Sequence, residues 1–320
     1  MKSSKLGRVG LVRSGAAAFV LALSTHGWAF CRTSTCNPRN ESCSVVDGCN
    51  VGGQPLQWPS SAVSWDVHQG DSNRPGLTAA ALEVAVSDAF DRWVNADCAG
   101  GGKPSIRLLN RGPVACGLPE YNQSAANANV ITFHDEPWPY DAPSSENLAQ
   151  TTLFFNPTTG AIYDANIEIN TNQHEFAVVD AIAPVLDLNA VLTHQVGHFL
   201  GLSHSAEPDA TMFAIYSPGM VTLEADDVAA ICAAYPPDRV AESDSDVPRH
   251  GFSSECADPQ GDAGAAGAAD ATGGNNGSES SGCSVRALGG AASPVDAVLL
   301  LLASVVLLRR GKRHSAISWR

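Results

Sequence analysis

The sequence predicts one α/β (α+β) domain over residues 57–236, a mixed sheet of about five strands with three helices. Five short runs of β-type residues, three stretches with apolar side chains at helical spacing, and Gly or Pro between them carry that reading. The 320 residues, 44% of them hydrophobic, permit one core of ordinary domain size plus appendages.

Ala62–His68 (AVSWDVH) alternates as a strand does. After the Pro75-Gly76 break, residues 78–96 place Ala81, Leu82, Val84, Ala85, Ala89, Phe90, Trp93 and Val94 on one stripe, which predicts a helix. SIRLLN (105–110), NVITFH (129–134) and TTLFFN (151–156) are short β runs. Residues 161–170 alternate strictly, with Tyr163, Ala165, Ile167 and Ile169 on one face and Asp164, Asn166, Glu168 and Asn170 on the other. Pro157 to Gly160 supply the turn between these last two runs. A second helix runs from about Leu188 to Leu200, with Asp187 as N-cap and Gly201 at the left-handed position past its end. A third, around residues 223–235, is stopped by Pro236 and Pro237.

The two ends are of another kind. Residues 1–29 have a basic start, the apolar run 16–24, and small residues at Gly27 and Ala29, which reads as a secretory signal cleaved after Ala29 or close by. Export implies an oxidising compartment, so the nine cysteines are read first as a disulfide framework. Cys31, Cys36, Cys43 and Cys49 crowd the segment 30–56 and allow three pairings. Cys98 and Cys116 read as a local pair and Cys232 with Cys256 as the next, leaving Cys283. Residues 237–282, rich in Gly, Ala, Ser and Asp, read as a flexible stalk with an end-to-end distance of roughly 35–40 Å. Then come Cys283, the apolar stretch 297–308 and a basic end, RRGKRH. That order resembles the C-terminal sorting tails of myxobacterial surface proteins, in which such a cysteine marks processing and anchoring. The resemblance implies that residues 283–320 associate with a membrane, that a sorting protease acts on them, and that the product is held at the cell surface.

Charge is distributed accordingly. The formal net charge is −14, but residues 30–283 hold nine basic against 32 acidic side chains, and no Lys or Arg occurs from 112 to 238. A surface so acidic repels phosphate backbones, which excludes nucleic acid as a partner class.

The chemistry is concentrated in HQVGHFLGLSH. His194 and His198 are four apart on the second helix and share a face, and the turn at Gly201 brings His204 back. Three imidazoles leave the fourth position of a tetrahedral zinc site open to water, the catalytic arrangement. With Met212 eight residues after the last histidine in the turn ATMF, the segment resembles the metzincin zinc peptidases of the matrixin type. The resemblance spans most of 57–236 and implies a metzincin-like twisted mixed sheet with the zinc site on the second helix. It implies Zn²⁺ ligation by His194, His198 and His204, with Met212 as the floor beneath the metal and Tyr216 beside the pocket for the substrate residue after the scissile bond. It further implies that residues 148–152, Leu148 and Ala149 included, form the edge strand against which an extended peptide or protein substrate pairs.

Two features depart from that pattern. The family carries Glu between the first two histidines as general base; here Gln195 occupies the catalytic position, and an amide cannot take a proton from water at neutral pH. The sequence thus supports a zinc endopeptidase and, alternatively, a silent zinc-containing peptide-binding module. Residues 115–120 resemble the family's zinc-blocking propeptide motif but lie inside the domain, where a disulfide from Cys116 to Cys98 is the better reading. His134 and His174, near Asp135, Asp164 and Glu175, are candidates for a structural Ca²⁺ or second Zn²⁺ site of the kind the family often has.

Overall fold

The computed structural model describes residues 29–36, 42–70, 72, 74–140, 147–178 and 185–256, together with the backbone of 277–281 and 317–318. The segment expected to be a secretory signal, as far as residue 28, Cys283 and the apolar stretch 297–308 lie outside the described residues.

Five strands form the core sheet: β1 (Ala62–His68), β2 (Arg107–Val114), β3 (Val130–Phe133), β4 (Ala149–Phe155) and β5 (Ile162–Ile169). A sixth, β6 (Gly277–Ser281), lies on the outer edge of β4, giving the order β6-β4-β5-β3-β1-β2. The pairs β1/β2, β1/β3 and β3/β5 are parallel, while β4 runs antiparallel to β5 with Ala149 opposite Ile169. The mixed sheet with three helices agrees with the fold class read from the sequence.

Helix α1 (Ala79–Val94) is the crossover between β1 and β2. Thr78 caps it by accepting from Ala81 N, and Leu82, Ala85, Val86, Ala89, Phe90 and Trp93 are buried along one stripe. Phe90 stacks on Trp65 of β1 with ring centroids 4.9 Å apart. Val84, expected on the stripe, is 60% exposed, and Val86 takes the inward place instead. Helix α2 (Leu188–Phe199) crosses α1 and lies under β4 and β5, buried along almost its whole length. Asp187 caps it by accepting from Asn189 N. At its buried C-terminal end, Trp58 Nε1 donates to Phe199 O, Tyr235 Oη to Leu200 O and Gly201 N to His198 O, so the last carbonyls have partners away from water. Gly201 has φ +83°, and a Cβ there would meet Leu56 O at 2.5 Å. Helix α3 (Ala225–Ala234) closes the domain.

The disulfides differ from the expected set. Cys98 pairs with Cys232 and Cys116 with Cys256, rather than Cys98 with Cys116 and Cys232 with Cys256. Cys98 precedes β2 and Cys116 follows it, so eight strand residues, about 26 Å of extended chain, separate the two ends. Their closeness in sequence is therefore distance in space. The N-terminal cluster takes one of its three pairings, Cys31–Cys49 with Cys36–Cys43. This segment docks on the domain: Cys31 and Arg32 pair antiparallel with Leu202 and Ser203, and the backbone N–H groups of Ala29 and Phe30 donate to Asp226 Oδ1.

The stretch expected to begin a flexible stalk at 237 is instead fixed to the sheet as far as Cys256. Arg239 donates to Trp58 O and Ser60 O, both at 2.8 Å, Ser61 N donates to Ser243 O, and Ala115 N to Ser254 O. Arg111 pairs with Asp246 at 2.9 Å. Composition misleads here because backbone hydrogen bonds, one ion pair and one disulfide hold this strap, with little apolar burial.

Candidate metal centre

The centre is built on α2 and on the turn that follows it. His194 and His198 project from one face of the helix, and Gly201 reverses the chain so that His204 returns to them. The ring centroids are 4.7 Å (194–198), 5.2 Å (194–204) and 5.1 Å (198–204) apart. One ring nitrogen of each lies within 4.8 Å of the others.

Backbone carbonyls orient two of the rings. His194 Nδ1 donates to Thr211 O at 2.7 Å and His198 Nδ1 to Leu202 O at 2.9 Å, which places the protons on Nδ1 and leaves the Nε2 lone pairs for a ligand. His204 Nε2 is buried and meets no hydrogen-bond partner among the described residues. Burial, and next the neighbouring rings, hold His194 well below its ordinary pKa. Burial lowers His198 to about 4, and burial with the His198 ring lowers His204 to about 3. Three neutral imidazoles with converging lone pairs fit Zn²⁺, whose ligands must be deprotonated.

Met212 packs against α2 where the helix carries no side chain. A Cβ at Gly197 would meet Met212 Sδ at 2.2 Å and Trp93 Cζ2 at 2.9 Å, so glycine is required for the thioether to lie there. Both oxygens of Asp227 hold this turn, accepting from Thr211 N at 2.7 Å and Met212 N at 3.0 Å. Trp93 Nε1 donates to Thr193 O and ties α1 to the residue before His194.

The order of metal helix, glycine turn and methionine turn has a counterpart among known proteins. Residues 123–236 match the Matrixin family. The matched segment ends just after α3. The chain is 40% identical over 62 residues to Metalloendoproteinase 1-MMP of Arabidopsis thaliana, covering 19% of this chain and 17% of that protein. It is 25% identical over 207 residues to Matrix metalloproteinase-C of Caenorhabditis elegans, covering 60% and 31%. With Neutrophil collagenase of Homo sapiens it shares 28% over 167 residues, covering 50% and 30%. The chain thus spans less than a third of the length of these curated relatives.

The other candidate residues of the domain fall as follows. Gln195 sits beside the triad, 1% exposed, and Thr151 of β4 donates its hydroxyl to Gln195 Oε1 at 2.7 Å. Tyr216 Oη accepts from Asp187 N, steadying the start of α2. The Leu148 and Ala149 side chains are buried in the core, so what they offer at the edge is backbone. Glu168 is buried on the other side of the sheet, taken by His134 Nε2 at 2.8 Å and by the Tyr140 hydroxyl, and Glu175 is exposed on a loop; neither replaces a base at residue 195. Asp135 accepts from the hydroxyls of Ser72 and Thr171. The residues considered for a structural metal are therefore not gathered into one site among the described residues. The only other group with metal-type side chains there, Cys116, Glu120 and Cys256, has its sulfurs in a disulfide. Sequence reasoning missed Thr151 and Asp227. Thr151 looked like one more β-branched strand residue, and Asp227 like an ordinary first-turn acid.

Proposed function

We propose that this chain is an exported zinc metalloendopeptidase of the matrixin type, acting on extended peptides and held at the cell surface by its C-terminal tail. The observation that carries the reading is the convergence of His194, His198 and His204, their Nδ1 protons tied to carbonyls and Met212 packed beneath the helix. Four disulfides support folding in an oxidising compartment. Bound zinc would polarise a peptide carbonyl and bring the pKa of its water toward ~7.

The chain's own residues do the rest. The edge expected at residues 148–152 is covered by β6 from Thr151 onward in this structure, so an extended peptide would pair along β4 only by taking the place of that segment of the same chain. Gln195 hydrogen-bonds the attacking water without removing its proton, so the rate lies about 10²–10⁴ below that of a carboxylate in this place. The acidic surface favours cationic or neutral peptides, more strongly at low salt. A second reading, a silent zinc-containing peptide-binding module, is favoured by one observation: the Gln195 amide is built into a buried hydrogen bond with Thr151.

Peptide cleavage by the purified, zinc-loaded full chain, beside its Gln195→Glu variant, tests the two. Slow cutting by the native chain that rises at least a hundredfold in the variant supports the peptidase. An inert native chain with an active variant establishes the binding module, and inertness of both overturns the groove itself.

A further inference from the structure

The Gln195–Thr151 bond changes what the centre offers to a ligand. Residue 195 is one step from His194 and three from His198 on α2, so it flanks their face on the β4 side. There the Thr151 hydroxyl, itself fully buried, donates to Oε1. A carboxylate held the same way would keep a second oxygen free as an acceptor. An amide held by its oxygen keeps an –NH₂ group, which only donates, and no described residue accepts from it. The centre thus combines a dication site with an adjacent N–H donor where a proton acceptor would otherwise stand.

Resting on the zinc and peptide reading above, we propose that the centre binds the free C-terminal carboxylate of a peptide, with the Gln195 amide as hydrogen-bond donor and Thr151 as the positioning residue that orients it. A carboxylate is the natural complement of a metal cation and an N–H donor, and a charge-assisted hydrogen bond is about twice as strong as a neutral one. Glu at 195 would set one carboxylate against another. Between 112 and 238 there is no Lys or Arg, so no side chain of this half of the domain supplies the cation. The same acidity selects the rest of the ligand: a peptide with basic side chains that ends in a free acid.

The test uses the zinc-loaded full chain and two short Lys-containing peptides, identical except that one ends in a carboxylic acid and the other in a carboxamide. Calorimetry should give the acid at least about tenfold tighter binding. Gln195→Glu should abolish or reverse that preference. Thr151→Val should reduce it several-fold with zinc content still near one per chain, and Thr151→Ser should restore it; a merely structural role for Thr151 would weaken both peptides equally. Equal binding of acid and amide by the native chain overturns the inference while leaving the zinc and peptide reading standing. So does a preference that survives Gln195→Glu, since the metal alone would then explain it. Binding of neither peptide overturns both readings.

Discussion

Strands β1, β3, β4 and β5 are buried on both faces of the sheet, but by different means. On the helix side, Val63, Trp65 and Val67 of β1 and Ala165, Ile167 and Ile169 of β5 pack against α1 and α2 in one apolar cluster. On the other side lie Ser64, Asp66, Asn129, Asp164, Asn166 and Glu168, all nearly without exposure, with residues 239–256 strapped alongside. The apolar face is stabilised by area removed from water, about 25 cal/mol per Å². The polar face lacks that gain and must satisfy its hydrogen bonds instead. It does so in part: Asn166 Nδ2 reaches Asp164 Oδ1 and Asn129 Nδ2 reaches Ser64 O, but neither oxygen of Asp66 meets hydrogen-bond geometry with a partner. The metal centre belongs to the well-packed side, where side chains hold fixed positions. The acids of the other side carry a cost that covalent strapping offsets.

The sharpest way to separate the two faces is to remove a metal ligand. His198→Ala should take zinc from about one per chain to near none by metal analysis, with the strap disulfide still formed. A native protein that is metal-free from the outset would defeat the peptidase and binding-module readings together.

The faces should also respond to pH in opposite directions. Without metal, the histidines are neutral in the folded protein well below 6.5, where the unfolded chain takes up protons. Stability of the metal-free protein is therefore lost as pH falls through 6.5. Burial raises Asp66 to about 7, with Arg111 offsetting this only in part. Its proton is held by the folded protein between 3.8 and about 7, so its penalty is present above that window and disappears as pH falls. Asp66→Asn should raise Tm at pH 8 and leave it nearly unchanged at pH 4; an equal gain at both would mean that Asp66 does not titrate in this range.

Opening the strap is the next largest perturbation. Cys256→Ser removes a link across 140 residues and should cost about 3–5 kcal/mol in denaturant unfolding. Limited proteolysis should then cut within 239–256 while zinc stays bound. On the helix side, Gly197→Ala drives a methyl into Met212 and should cost about 1–3 kcal/mol and weaken zinc retention. The smallest effect belongs to Val84→Lys, within about 0.5 kcal/mol by thermal melting because Val84 is mostly exposed, whereas Val86→Ala beside it should cost about 2 kcal/mol.

Legibility follows the same division. The turns of α2, Asp187 as its cap, Gly201 past its end and the three histidines were readable because each depends on residues a few positions apart. Strict alternation in 161–170 showed two faces but not that the polar one would be buried, since periodicity reports orientation and not what lies opposite. Val84 was misplaced for a related reason: an apolar residue at the margin of a helical stripe is assigned by what packs there.

By itself, then, the sequence determined the elements and the convergence of His194, His198 and His204, whose spacing is set by helix geometry and one glycine turn. Tertiary structure alone decided that Cys98 joins Cys232 and Cys116 joins Cys256, that residues 239–256 lie on the sheet, and that Thr151 reaches Gln195. Those contacts link residues 44 to 185 positions apart. No local pattern encodes them, because they form only when the whole sheet and its helices have been brought together.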